Sequence, residues 1–187
     1  MINQKSKAGY EYLLAYKVTV PIYDYTVEFC KRDIKSFRTK EQMEQAARSG
    51  MQNILEGNQQ EGMKGYIKLT GIARGSLEEL LKDYAAFLRQ NKFRIWEIRE
   101  TREIKELGEI WKILKQTLTL PDIPNFPNLP DSPEKAANLL VTLINQANYI
   151  IDKLVVSLKE KHMKDGGLTE ELYRKRIEYR RKNPRFP

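Results

Sequence analysis

A chain of 187 residues with 41% hydrophobic side chains holds enough apolar material for one domain of roughly 150 residues plus an appendage, which excludes wholesale disorder. No window approaches the ~18 uninterrupted apolar residues of a membrane span, and the opening MINQKSKAGYEY lacks the apolar stretch of a signal peptide. The single cysteine, Cys30, excludes an internal disulfide, and together these features predict a cytoplasmic protein. The net charge of +8 is uneven: between residues 172 and 187, Arg174, Lys175, Arg176, Arg180, Arg181, Lys182 and Arg185 face Glu178 alone, so the body is near neutral and the tail is a cation.

Apolar spacing predicts helices almost throughout. Leu14, Val18, Ile22, Tyr25 and Phe29 form one stripe of a helix over about 10–35. Pro21 interrupts it, so that either the helix kinks or Thr19 caps a fresh start. Thr39, with Gln42 three residues on, reads as a capping box opening a second helix. Met43, Ala46, Ala47, Gly50, Met51, Ile54 and Leu55 line its inner face, and Gly57-Asn58 reads as its stop. A third helix carries Tyr66, Leu69, Ala73, Leu77, Leu80, Tyr84 and Leu88 at three-four spacing. Gly71 and Gly75 inside it suggest close contact between helices.

Residues 92–117 form a further piece, helical from about Glu100, with Ile104, Leu107, Trp111 and Leu114 on one face. Prolines 121, 124, 127, 130 and 133 then recur every third residue, the polyproline II period. Leu120, Ile123, Phe126 and Leu129 share another edge of that rod, which predicts an ordered strap laid along the helices rather than a ligand for a proline-reading domain. Asp131 or Ser132 caps the last core helix, with Pro133 just inside and a broad apolar face from Leu139 to Leu158. Past Gly166-Gly167, Thr169 is expected to cap a short helix with acidic residues first and basic ones last. The fold expected is all-α: an antiparallel up-and-down four-helix bundle over 1–162 with an insertion at 92–133, an inserted helix, the proline-rich strap and a basic C-terminal suffix helix over 163–187.

Groups able to do chemistry are sparse. His162 stands alone among lysines at a helix end, where a solvated position is expected, and Cys30 has no nearby base. Glu-x-x-His pairs for a di-metal carboxylate site are missing from the sequence, and Glu78, Glu79 and Asp83 read as an exposed acidic face. The run from Gly57 to Lys64 resembles a phosphate loop only superficially, because the lysine is displaced and a helix precedes it. No catalytic residue, cofactor site or metal site is expected, so the chain is read as a non-enzyme. What remains is basic surface interleaved with aromatics: Arg174, Lys175, Arg176, Tyr179, Arg180, Arg181 and Lys182 in the tail, and Lys31, Arg32, Lys35, Arg38 and Lys40 around the first helix–helix connection. Cations neutralise phosphates and tyrosine faces stack on unpaired bases.

Two phrases, RTKEQMEQAARSGMQNILEG (38–57) and IKLTGIARGSLEELLKDYAAFLR (67–89), resemble the four-helix-bundle family that includes the 23S rRNA intervening-sequence proteins of bacteria. LLAYKVTVPIYDYTVEFC (13–30) and the stretch 145–180 are similar to its longer, suffix subgroup. The resemblance implies a bundle with no established enzymatic activity. It also implies kinship with the accessory variability determinant of diversity-generating retroelements, a basic pentameric barrel that binds nucleic acid and a reverse transcriptase. On it rest the expectations of a homo-oligomer, a pentamer by that kinship, and of a reverse transcriptase or other protein among its partners. Ala46, Ala47, Gly50, Gly75 and Ser76 then read as contacts between helices, and Asn53 and Glu56 as helix-end hydrogen bonders. Two functions follow: a binder of nucleic acid, RNA before DNA, or a structural or adaptor protein whose partner is another polypeptide, the tail then being a docking arm for an acidic protein. The plainer reading of the tail is a solubilising helix end, and no membrane role is expected.

Overall fold

The computed structural model describes residues 7–116 and 125–184. The architecture is all-α, with no strand among the described residues. Its elements are α1 (Lys7–Asp33), α2 (Phe37–Asn58), α3 (Met63–Gln90), a single turn α4 (Ile98–Thr101), α5 (Lys105–Gln116), α6 (Pro133–Asp165) and α7 (Leu168–Lys182).

α1 is continuous through Pro21, with no capped restart. The Thr19 hydroxyl donates to the Tyr16 carbonyl at 2.6 Å instead of capping. A proline inside a helix costs about 3 kcal/mol, and the burial of Val18, Ile22, Tyr25 and Phe29 on the same stripe offsets it. α2 opens at Ser36, not Thr39: Thr39 lies three residues inside and its N–H is held by the Ser36 hydroxyl at 3.3 Å. α2 ends at Asn58, within the expected Gly57-Asn58 stop. Gly57 is buried there because a Cβ would lie 2.9 Å from the Tyr66 ring, so this glycine permits close approach rather than chain reversal.

α1 packs on α2 and α6, and α3 packs on α2 and α6, closing a circuit of four long helices. Side-chain pairs give the register. Cys30 meets Met43, Gly50 lies under Leu77, Ser49 bonds Ser76 at 2.9 Å, and Arg74 of α3 pairs with Asp152 of α6 at 3.2 Å. Across the core the Tyr84 hydroxyl donates to Thr26 at 3.0 Å, and Phe29 packs edge-on against Tyr84 and Phe87. Asn53 is not a helix-end bonder: its amide donates to Ser49 in mid-helix, completing a small polar cluster with Ser76.

α6 is capped by Ser132, whose hydroxyl accepts the Lys135 N–H, with Pro133 in the first turn. By length and composition the helical stretch Pro133–Lys182 has a window apolar enough to cross a bilayer, with mean hydropathy 1.3, and half of that window is buried in the protein. Residues 92–116 are tied to its first turns. Asn138 accepts the Trp96 N–H at 2.8 Å and donates to the Arg94 carbonyl at 3.0 Å, Lys135 pairs with Glu106 at 2.9 Å, and the Trp111 indole donates to Gln146 at 2.7 Å. α5 buries Leu107, Ile110 and Leu114, with Ile104 just before it, while Trp111, expected on that face, is only half-buried. Of the proline-rich strap, Leu120, Pro121, Ile123 and Pro124 lie outside the described residues. In the described part Leu129 is buried, Phe126 packs half-buried on the core, and the Tyr25 hydroxyl donates to the Pro127 carbonyl.

Gly71 and Gly75 make no close helix contact. Both are exposed, with nothing within 4 Å of an added Cβ, whereas a Cβ on Gly50 would stand 2.6 Å from Leu77. Gly71→Ala and Gly75→Ala should therefore each stabilise the fold by about 0.5–1 kcal/mol through helix propensity. Gly50→Ala should destabilise it by about 1–3 kcal/mol through overpacking. Urea midpoints of the three variants check this, and a loss of stability at Gly71 or Gly75 would reveal a contact outside the monomer.

Candidate nucleic-acid interface

α7 starts where α6 is made to stop. Gly166 takes a left-handed φ of 79° and its N–H bonds the His162 carbonyl at 3.0 Å. The Gly167 N–H is then taken by the Glu170 carboxylate at 2.9 Å. Thr169, expected as the cap, lies inside the first turn, because the glycine backbone together with Glu170 already satisfies the helix start. Backbone hydrogen bonds from its own N–H and that of Gly167, helped by the charges of His162 and Lys64, hold the Glu170 carboxyl below its usual value. Lys64 is a neighbour that linear sequence hides, since it sits at the start of α3. His162 is half-buried rather than solvated, because the chain turns at Gly166 so that the backbone at Gly167 passes close to its ring.

No side chain of α7 is buried. Arg174, Lys175, Arg176, Tyr179, Arg180, Arg181 and Lys182 all stand in solvent. Three of the six cations have partners. Lys175 pairs with Glu171 at 2.5 Å, Lys182 with Glu178 at 2.6 Å, and the Arg174 guanidinium donates to the Asp165 carbonyl at 3.0 Å. The hydrogen bond from Lys175 holds the Glu171 carboxyl below its usual value. Arg176, Arg180 and Arg181 have no such partner among the described residues.

The second group spans the α1–α2 connection. Lys31, Arg32, Lys35 and Arg38 are exposed and Lys40 is half-buried. Arg32 pairs with its neighbour Asp33 at 2.8 Å, and Lys40 lies 3.8 Å from Glu44. This group shares its end of the molecule with Phe87, Gln90 and Asn91 at the close of α3. α7 leaves from the other end, beside Asn58 to Gly62 of the α2–α3 turn. The two basic groups are therefore not brought together: most of the length of α6, 33 residues or about 50 Å, lies between their ends. Lys159 and Lys164, exposed on the last turns of α6, extend the α7 group onto the body.

The remaining reactive side chains do not converge. Glu79 is exposed, Glu78 is paired with Arg74 at 2.8 Å, and half-buried Asp83 lines a polar groove between α2 and α3 with Glu41. Among the described residues no group of three His, Cys, Asp or Glu side chains is placed to hold a metal ion. Cys30 is wholly buried, and burial, with Glu44 adding, pushes its thiol up to about 12.

These residues define an all-α protein that carries cationic, solvent-exposed groups at both ends and no assembled reactive centre among the described residues. The chain belongs to the family described as 23S rRNA-intervening sequence protein, whose model matches residues 11–116. The matched stretch ends with α5, so α6 and the basic α7 lie beyond it. No curated protein and no solved structure matches the chain.

The Cys30 thiol should not react with a disulfide reagent at pH 8 in the native protein, since the thiolate is the nucleophile and is scarce four units below the pKa. One equivalent should appear on unfolding in guanidinium. Prompt reaction in the native state would contradict the buried geometry.

Proposed function

We propose that this chain is a non-enzymatic, cytoplasmic RNA-binding protein that works as a homo-oligomer, with α1, α2, α3 and α6 forming an up-and-down four-helix bundle. The carrying observation is α7, a helix with no buried side chain and a cluster of basic residues, which has no role in the core. Such a helix supplies phosphate contacts and counterion release. RNA is favoured over DNA because the family description refers to ribosomal RNA. Self-association is favoured by Tyr149 and Val156, apolar side chains that stand exposed on the outer side of α6.

An adaptor reading has its own support. An apolar groove between α4–α5 and α6 is lined by Trp96, Trp111 and Tyr149, and Ile95 and Ile98 are exposed beside it. Apolar patches of this kind mark protein contacts, and a reverse transcriptase is one partner class that this reading admits.

Salt titrations separate the two. Four phosphate contacts by α7 give a log–log slope of about −3 to −4 with structured RNA. Deleting 172–187 should abolish that slope while leaving the melting temperature unchanged. Retention of the full slope would move the interface to Lys31–Lys40, and absence of binding to RNA or duplex DNA at low salt would leave the adaptor reading. Light scattering should give a mass of five 22.0 kDa chains, and a monomer at micromolar concentration would refute the homo-oligomer.

A further inference from the structure

The charges of α7 are sorted by face. At about 100° per residue, Glu170, Glu171 and Glu178 all fall on one half of the helix, with Arg174, Lys175, Arg181 and Lys182. The paired lysines and Arg174 are on this half. The other half carries no carboxylate. Across it, in angular order, come Tyr179, Leu172, Arg176, Arg180 and Tyr173, within an arc of about 120° bordered by Leu168 and Ile177. Both tyrosines are more than half exposed, and neither arginine has an ion pair among the described residues.

We infer that this acid-free face of α7 binds RNA with unpaired bases, Arg176 and Arg180 taking phosphates while Tyr173 and Tyr179 stack on bases to either side. The inference rests on the RNA-binding reading above and names the face and the substrate class. A phosphate approaching the opposite half meets three carboxylates, and its lysines are already engaged. A phosphate on this half meets cations alone. Stacking needs an exposed base face, which a duplex hides and a single strand or loop offers.

The same pattern argues against a lipid surface. An interfacial helix keeps its cations on the polar side of the apolar arc, whereas Arg176 and Arg180 sit in its middle and would have to enter the acyl layer. A purely apolar protein groove would bury the same two charges without partners.

The experiment uses the full chain and fluorescein-labelled oligoadenylate of about 12 nucleotides, within the usual span of stacking binders, beside a blunt RNA duplex of equal length. Tyr173→Leu/Tyr179→Leu should weaken the single strand about tenfold or more and the duplex little, and Tyr173→Phe/Tyr179→Phe should restore it. Arg176→Gln/Arg180→Gln should reduce the single-strand salt slope by about 1.4. Lys175→Gln/Lys182→Gln should change it by less than half as much. Equal losses from the lysine and arginine pairs, or equal losses on both RNAs from the tyrosine pair, overturn the face assignment and leave RNA binding intact. Failure of the wild type to bind either RNA overturns both readings. If anionic phosphatidylserine vesicles bind in that case, and the arginine pair is needed, the face is a membrane contact instead.

Discussion

The burial of α6 is the constraint on which the rest of the molecule depends. Both α1 and α3 pack against it, as they do against α2, and it also receives α4 and the loop before it. Leu139, Leu140, Leu143, Ile144, Ala147, Ile151, Leu154 and Leu158 are fully buried along it. Burying a Leu or Ile side chain contributes about 1.5–3 kcal/mol, so this helix alone supplies a large share of the driving force. Asn138 adds direction to that burial: its amide is fixed by Trp96 and Arg94, which sets how the inserted segment meets the first turns of α6. A buried amide with its partners in place specifies geometry, because any other register would leave it unsatisfied.

Opposite that wall, α2 and α3 come together through small residues. Gly50 under Leu77, Gly57 against Tyr66, and the Ser49–Ser76 hydroxyl pair bring the two backbones close. The pairing leaves Gly71 and Gly75 on the outside of α3, where no close contact among the described residues uses them. The two kinds of glycine are identical in sequence and opposite in consequence, since only the partner helix decides whether a missing Cβ is needed.

The circuit of helices also decides where charge can collect. The α1–α2 connection lies at one end of the long helices and the α6–α7 connection at the other, so the Lys31–Lys40 group and α7 are separated by the body itself. α7 stays out of the core because Arg176 and Arg180 interrupt its apolar side, and burying them without partners would cost more than the leucines return. Gly166 and Gly167 let the chain leave α6 there, and the Glu170 and Arg174 contacts fix the departure.

The sequence by itself determined the helices, the inner stripes of α1, α3 and α6, the α6 cap to within Asp131 or Ser132, the kinship carried by 38–57 and 67–89, and the charge of the tail. These are local or periodic properties: a stripe at 3.6-residue spacing and a run of cations are visible without knowing any partner. Tertiary structure alone decided the rest. Ser36 rather than Thr39 opens α2, Gly57 lies against the Tyr66 ring, Ile110 displaces Trp111 from the buried face, and Lys64 comes beside Glu170. It also decided which cations of α7 are engaged, because an ion pair needs a carboxylate held at the right distance and on the right face. Spacing along the chain lists candidates, and only packing in three dimensions assigns each one its neighbour.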